Sequence, residues 1–125
     1  MDYLQRANGD MCVIVQIETR AALAEIEAIA AVDGIVGIFI GPSDLAADLG
    51  YLGNAGHPEP QAAIADAVAR IRAAGKAAGI LTADPVAAAR YIEIGFSFVA
   101  VGADTGVLAQ STAKLAAQFK EKLHM

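Results

Sequence analysis

Ile35-Val36-Gly37-Ile38-Phe39-Ile40-Gly41-Pro42-Ser43-Asp44-Leu45 joins a continuous apolar run to a turn of flexible, rigid and acidic residues. A strand with one wet face alternates apolar and polar side chains, whereas a parallel strand is covered on both faces and reads as an unbroken Val, Ile and Phe run. This stretch therefore predicts a buried parallel strand that ends at residue 41. Three more β-rich runs share the pattern, at residues 12–18, 79–83 and 97–102, and Ala-rich segments with helical periodicity follow the runs. Ile64, Ala67, Val68 and Ile71 fall at i, i+3, i+4 and i+7, one apolar stripe of a helix that Gly75 would close. Asp84-Pro85 reads as an N-cap followed by proline at the first helical position; the segment then runs from Val86 to Ile94 and stops at Gly95. A last helix over residues 105–123 carries Leu108, Leu115, Phe119 and Leu123 on one side and is expected to pack against the sheet.

Strand–helix–strand crossovers in succession imply a parallel sheet, and the four units predict an α/β fold of (βα)4 order. A closed (β/α)8 barrel takes about 250 residues, or about 31 per unit, so the 125 residues here correspond to half of such a TIM barrel, one domain with parallel strands and outer helices. The competing fold is a doubly wound sheet of the flavodoxin kind, which usually has five strands. The open half-barrel leaves edge strands and its former interior uncovered, so self-association as a homo-oligomer, or pairing with a separate complementary half, is expected.

Composition narrows the partners. Nine Lys and Arg against 14 Asp and Glu give a net charge of −5, which offers no electrostatic footprint for nucleic acid or an anionic membrane. The first residues, Met1-Asp2-Tyr3-Leu4-Gln5-Arg6, lack the basic-then-apolar order of a secretory signal, and no apolar stretch reaches the roughly 18 residues of a membrane span. The single cysteine, Cys12, has no intramolecular partner, and a reducing, cytoplasmic setting is expected.

In parallel α/β folds functional groups gather at the C-terminal ends of the strands. At the first such end, Gln16 and Glu18 are two residues apart and project from the same face. Glu18 is read either as a carboxylate just past the strand in solvent or as one held there by a cation. In Gly41-Pro42-Ser43-Asp44, Asp44 is either an ordinary helix-start residue or a ligand. Taken together, Glu18 and Asp44 follow two consecutive strands and could present two hard oxygen ligands to Mg²⁺ or Mn²⁺, leaving positions for water and substrate. The long connection Gly50–Pro60 reads as a loop overhanging a site, with His57 on its surface, and Gly102-Ala103-Asp104-Thr105-Gly106 as a strand-to-helix turn. Cys12 and His124 lie apart from these positions, and no nucleophile–base pair is apparent.

At Gln16-Ile17-Glu18-Thr19, Gly41-Pro42-Ser43-Asp44-Leu45 and Gly95-Phe96-Ser97-Phe98-Val99-Ala100-Val101-Gly102, the chain resembles the HpcH/HpaI family of class II pyruvate aldolases. The resemblance extends from about residue 2 to residue 119 and corresponds to the C-terminal half of family members, which are about twice as long. It implies aldol cleavage and condensation of 4-hydroxy-2-oxo acids, giving pyruvate and an aldehyde, with Mg²⁺, Mn²⁺ or Co²⁺ as cofactor. It assigns the metal to Glu18 and Asp44, places Gln16 beside the substrate, gives the pyruvate carboxylate to the backbone N–H groups of Ser43 and Asp44, and puts Leu81 at the mouth. It also implies that the family's acid–base His and its Arg belong to the other half, so this chain supplies no catalytic residue of that kind. None of Lys76, Lys114, Lys120 and Lys122 stands at a strand end, which agrees with a metal in place of a Schiff-base lysine.

Overall fold

The computed structural model describes residues 2–123. Its elements run α1 (Tyr3–Arg6), β1 (Val13–Ile17), α2 (Arg20–Ala24), α3 (Ile26–Ala30), β2 (Ile35–Ile40), α4 (Pro42–Asp48), α5 (Pro58–Ala73), β3 (Ala77–Leu81), α6 (Pro85–Glu93), β4 (Phe98–Ala100) and α7 (Asp104–Leu123). The four strands are parallel and lie in chain order, β1-β2-β3-β4. A doubly wound sheet reverses its strand order at a switch point. This sheet does not, and the (βα)4 reading holds.

Register divides the sheet into two unlike faces. Ile17 pairs with Ile40, Ile40 with Ile80 and Ile80 with Val99, so these side chains share one face. That face is buried beneath the helices: Ile17, Ile38, Ile40, Ala78 and Ile80 belong to the core, joined by the α5 stripe Ile64, Ala67, Val68 and Ile71 and by Ile26 of α3. The stripe is the one its helical spacing predicts, and its removal from water is the main stabilising term of the fold. The opposite face carries the row Gln16, Phe39, Gly79 and Phe98. Phe39 and Phe98 meet edge to face, 5.7 Å between centroids. Gly79 makes room for them, because a Cβ there would stand 2.6 Å from Phe39 Cδ2. Phe98 is half exposed, and so are Ile14 and Leu81 of the same face.

Several boundaries differ from the sequence reading. The third run begins at residue 77 and ends at 81, two residues early at each end, because Thr82 and Ala83 belong to the turn that starts α6, where the Asp84 N–H donates to Thr82 Oγ1 at 3.2 Å. The first and fourth strands are shorter than 12–18 and 97–102, so Cys12 precedes β1 instead of opening it. The connection from Gly50 ends at residue 57: His57 accepts the Glu59 N–H at 3.2 Å, which makes it the N-cap of α5, and Pro58 and Pro60 are helical. Gly75 and Gly95 do close their helices, with φ of +75° and +109° that side-chain-bearing residues rarely adopt.

The largest departure is α7. Leu108, Leu115 and Phe119 are more than half exposed, so this helix does not cover the sheet. A crossover helix packs over the groove between its own strand and the next one, and β4 is an edge with no following strand beside it. The Leu123 side chain and His124 lie outside the described residues.

Charged contacts brace the helical layer. Arg70 of α5 holds Glu27 of α3 through two bonds, Nε to Oε1 at 2.7 Å and NH2 to Oε2 at 2.5 Å, and donates to the Leu23 carbonyl at 2.9 Å. The Arg70 hydrogen bonds lower the Glu27 pKa from the usual 4.5 to about 2. The stability this pair adds is therefore complete above pH 4.5 and is lost as pH falls toward 2. Glu27→Gln is expected to narrow its stability gap to the parent chain over that window, measured by urea unfolding at stepped pH, and added salt should shrink the gap because the pair is exposed. Gly95→Ala places a Cβ against the Arg72 guanidinium at a positive φ; a loss of about 1–3 kcal/mol in urea unfolding is expected.

Candidate functional site

The C-terminal ends of β1, β2 and β3 face one side of the molecule, and the side chains singled out in the sequence meet there. Gln16 Nε2 donates to Glu18 Oε2 at 2.6 Å, so the two residues do project together from the end of β1. Gly41 follows β2 and continues the ladder one step, its N–H donating to the Ile17 carbonyl at 3.1 Å. The Gln16–Glu18 pair lies directly over Gly41. A Cβ at residue 41 would come within 2.6 Å of Glu18 Oε2 and 2.9 Å of Gln16 Nε2, so the missing side chain of this glycine is the space the pair occupies.

Pro42 then starts α4, which has no side-chain cap because its N-cap is Gly41. In the first turn of a helix the backbone N–H groups have no intrahelical acceptor. Ser43 and Asp44 occupy that turn, both with exposed side chains. Gln16, Phe39, Gly41, Ser43, Asp44 and Leu81 line a single open cavity of about 210 Å³. Glu18 is not part of its lining but is tied to it through Gln16. The structure thus brings Gln16, Ser43, Asp44 and Leu81 together, with Glu18 beside them.

The donor set suits a hard divalent ion. Two carboxylates on neighbouring strand ends are what Mg²⁺ commonly takes from a protein, the remaining positions going to water and substrate oxygens. No group of three or more His, Cys, Asp or Glu side chains converges among the described residues, so a closed all-protein metal cage is not formed there. The lysine that could compete as a Schiff-base nucleophile is turned away: Lys76 Nζ donates to the Ile35 carbonyl at 2.6 Å, at the opposite end of the sheet. His57 stacks on Tyr51 with centroids 4.0 Å apart and caps α5, which leaves it a structural part of the 50–57 loop. Tyr51 donates in turn to Glu59, and that bond raises the phenol pKa. Residues 102–106 do form a strand-to-helix turn, in which Asp104 Oδ1 accepts the Thr105 N–H at 2.8 Å.

The comparisons with known proteins converge on one group. Residues 2–111 match the family model for the HpcH/HpaI aldolase/citrate lyase domain. The chain belongs to the HpcH/HpaI aldolase/citrate lyase family. Among its relatives are a hydroxypyruvate/pyruvate aldolase of Pseudomonas aeruginosa, 57% identical over 119 residues, and a 4-hydroxy-2-oxo-heptane-1,7-dioate aldolase of Salmonella typhi, 58% identical over 118. These alignments take in 95% and 94% of this chain but only 44% and 45% of the relatives, so the chain spans less than half of their length. A family member from Burkholderia cenocepacia J2315 superposes with a TM-score of 0.87 at 41% identity, covering 95% of this chain and 46% of that one. An HpcH/HpaI aldolase from Desulfitobacterium hafniense DCB-2 gives 0.85 at 29% identity, with 96% and 47% covered.

The sequence reading did not anticipate a second cavity, built on Gln61, Asp84 and Tyr91, that adjoins the first. Its one local signal is the i, i+4 pair Ala87 and Tyr91 on α6; the contact that defines it, between Gln61 and Tyr91, spans 30 residues and has no local pattern. Gly41→Ala tests the first cavity's geometry without any ligand. The fold should survive by circular dichroism, since φ at Gly41 is an ordinary −92°. The Gln16 side-chain amide resonances should lose the shift that a carboxylate partner imposes.

Proposed function

We propose that this chain forms the metal- and pyruvate-binding half of a class II aldolase, the C-terminal (βα)4 half of a TIM barrel, acting in cleavage and condensation of 4-hydroxy-2-oxo acids to give pyruvate and an aldehyde. The observation that supports it is the convergence of Gln16, Ser43, Asp44 and Leu81 on one cavity at the strand ends, with the Glu18 carboxylate anchored by Gln16. In this family relatives are named as aldolases, and this chain covers less than half of each.

Glu18 and Asp44 would hold Mg²⁺, Mn²⁺ or Co²⁺. When bound, such an ion supplies Lewis-acid polarisation of the 2-oxo carbonyl. The chain's own groups bind and orient the substrate. The N–H groups of Ser43 and Asp44, at the uncapped start of α4, would donate hydrogen bonds to the 2-oxo acid's carboxylate. The Gln16 amide fixes the Glu18 carboxylate and borders the substrate's reacting end. Leu81 closes the mouth and excludes water from one side. Neither cavity-lining set at these strand ends includes a histidine or an arginine, so the proton transfers of the aldol step fall to groups outside this chain's site or to water. Binding of a 2-oxo acid without turnover is accordingly the second reading for the chain alone.

The open face bearing Ile14, Phe39 and Phe98 is proposed to be covered by a complementary four-stranded half, since the chain aligns with only 44–47% of the length of these relatives. The lone, exposed Cys12 thiol favours a reducing cytoplasm.

Two measurements test the reading. Glu18→Gln should weaken Mn²⁺ binding by about tenfold or more, followed by water proton relaxation, with unfolding by urea little changed; undiminished affinity refutes the assignment. Proton–deuterium exchange at the pyruvate methyl group in D₂O, with Mg²⁺ and then with EDTA, separates the two readings. Metal-dependent exchange establishes enolisation by this chain, and absence of exchange with retained binding establishes the binding-only reading.

A further inference from the structure

A cavity of about 400 Å³ lies next to the one described above and shares Pro42, Ser43 and Leu81 with it. It is bounded by the end of the 50–57 loop, the first turn of α5, and the turn and first two turns of α6. A molecule whose head sits between Gln16 and Asp44 therefore meets this second space where the shared residues end. A volume of this size is within the range of small-molecule sites.

The polar groups on its wall have fixed roles. The Gln61 amide donates to the Ala55 carbonyl and to Tyr91 Oη, both at 2.9 Å, while its Oε1 accepts from Arg90 NH1 at 3.1 Å. Both amide protons and the carbonyl of Gln61 are thus engaged, and Arg90, bonded to it through one N–H, stands outside the lining. Tyr91 is 4% exposed, and its oxygen accepts from Gln61, which leaves its own proton as a buried donor for a guest. Asp84 caps α6 with Oδ1, accepting the Val86 N–H at 2.9 Å, and contributes a carboxylate to the wall. The Thr82 and Ser43 hydroxyls complete the polar lining, and no Lys or Arg is part of it.

This wall discriminates by charge. A hydroxyl group can donate to Asp84 and accept from Tyr91, Thr82 or Ser43, whereas a carboxylate brought here would face the Asp84 carboxylate with no cation on the lining. We propose that this cavity is the subsite for the tail of a 4-hydroxy-2-oxo acid, and that it takes an uncharged, hydroxylated tail in preference to one ending in a carboxylate. Asp84 and Tyr91 are the residues that set the preference. The proposal rests on the assignment of the first cavity to the 2-oxo acid head.

Two probes with the same head separate the two claims: 4,5,6-trihydroxy-2-oxohexanoate and 4-hydroxy-2-oxoheptanedioate, each titrated with Mg²⁺ into the ¹⁵N-labelled 125-residue chain. Both should move the amide resonances of Gly41, Ser43 and Asp44. Only the trihydroxy acid should move those of Gly56, Thr82 and Ala87, and it should bind about fivefold more tightly or better. Asp84→Asn keeps a capping side chain; it should raise affinity for the dioate by about fivefold. Tyr91→Phe keeps the buried ring and should weaken binding of the trihydroxy acid, narrowing the preference, while leaving the head shifts in place. Equal affinities, silence at Gly56, Thr82 and Ala87 with both acids, or an Asp84→Asn chain that treats the dioate as before would each overturn the tail subsite alone. Silence at Gly41, Ser43 and Asp44 with both acids would overturn the head assignment, and the tail subsite with it.

Discussion

The register that sets Ile17, Ile40 and Ile80 side by side is the constraint on which the site depends. Side chains alternate along a strand, so a slip of one residue would exchange the two faces of β1 or β2. It would turn the isoleucines outward, away from the α5 stripe, and put Gln16 and Phe39 beneath the helices. The cost of exposing those apolar side chains fixes the pairing. Once the pairing is fixed, the Gln16–Glu18 pair must arrive over Gly41, and Asp44 must begin its helix one turn away. The chemistry of the open face is thus positioned by the hydrophobicity of the covered one.

Gly41 shows how finely this is drawn. Its backbone angles are ordinary, so glycine is not needed there for conformational freedom. It is needed because the Glu18 carboxylate and the Gln16 amide occupy the space a Cβ would take. Gly79, one strand further on, answers the same demand from Phe39 and Phe98. In a parallel sheet whose neighbouring rows are level, a large side chain on one strand requires a small one on the next.

The fold was largely legible in the sequence because its signals are local. The continuous run at 35–40, the stripe at Ile64, Ala67, Val68 and Ile71, and the glycines at 75 and 95 each follow from short-range periodicity or backbone geometry. The placement of Gln16 and Asp44 on one cavity was legible too, because strand ends in successive βα units converge. Errors came where a local signal was ambiguous. Proline-rich Pro58-Glu59-Pro60 reads as loop, yet proline fits the first turn of a helix, and His57 supplies the cap. The α7 stripe is amphipathic, as its spacing predicts, but unpacked, since periodicity reports that a face is apolar and not whether this chain supplies its partner. The Gln61–Tyr91 contact was invisible because it depends on how α5 and α6 lean together over β3.

The two faces also divide the work of the molecule. Every residue of the core cluster packs on the helical side of the sheet or within the helices, and among the described residues no polar or charged one is buried. The candidate site's carboxylates and amide sit on the other side, where they cost little desolvation and contribute little to folding. Substitutions at the buried Ile38 or Ile64 therefore act on stability, whereas the proposed function places the effect of substitutions at Glu18 or Asp44 on binding. An open face leaves Ile14 and Phe98 exposed, and it also leaves Glu18 and Asp44 beside a medium of high dielectric, where the proposed divalent ion would be held weakly. A complementary half laid over that face would bury the aromatics and lower the dielectric around Glu18 and Asp44 together, so that closing the sheet strengthens the same charges that the register has brought into place.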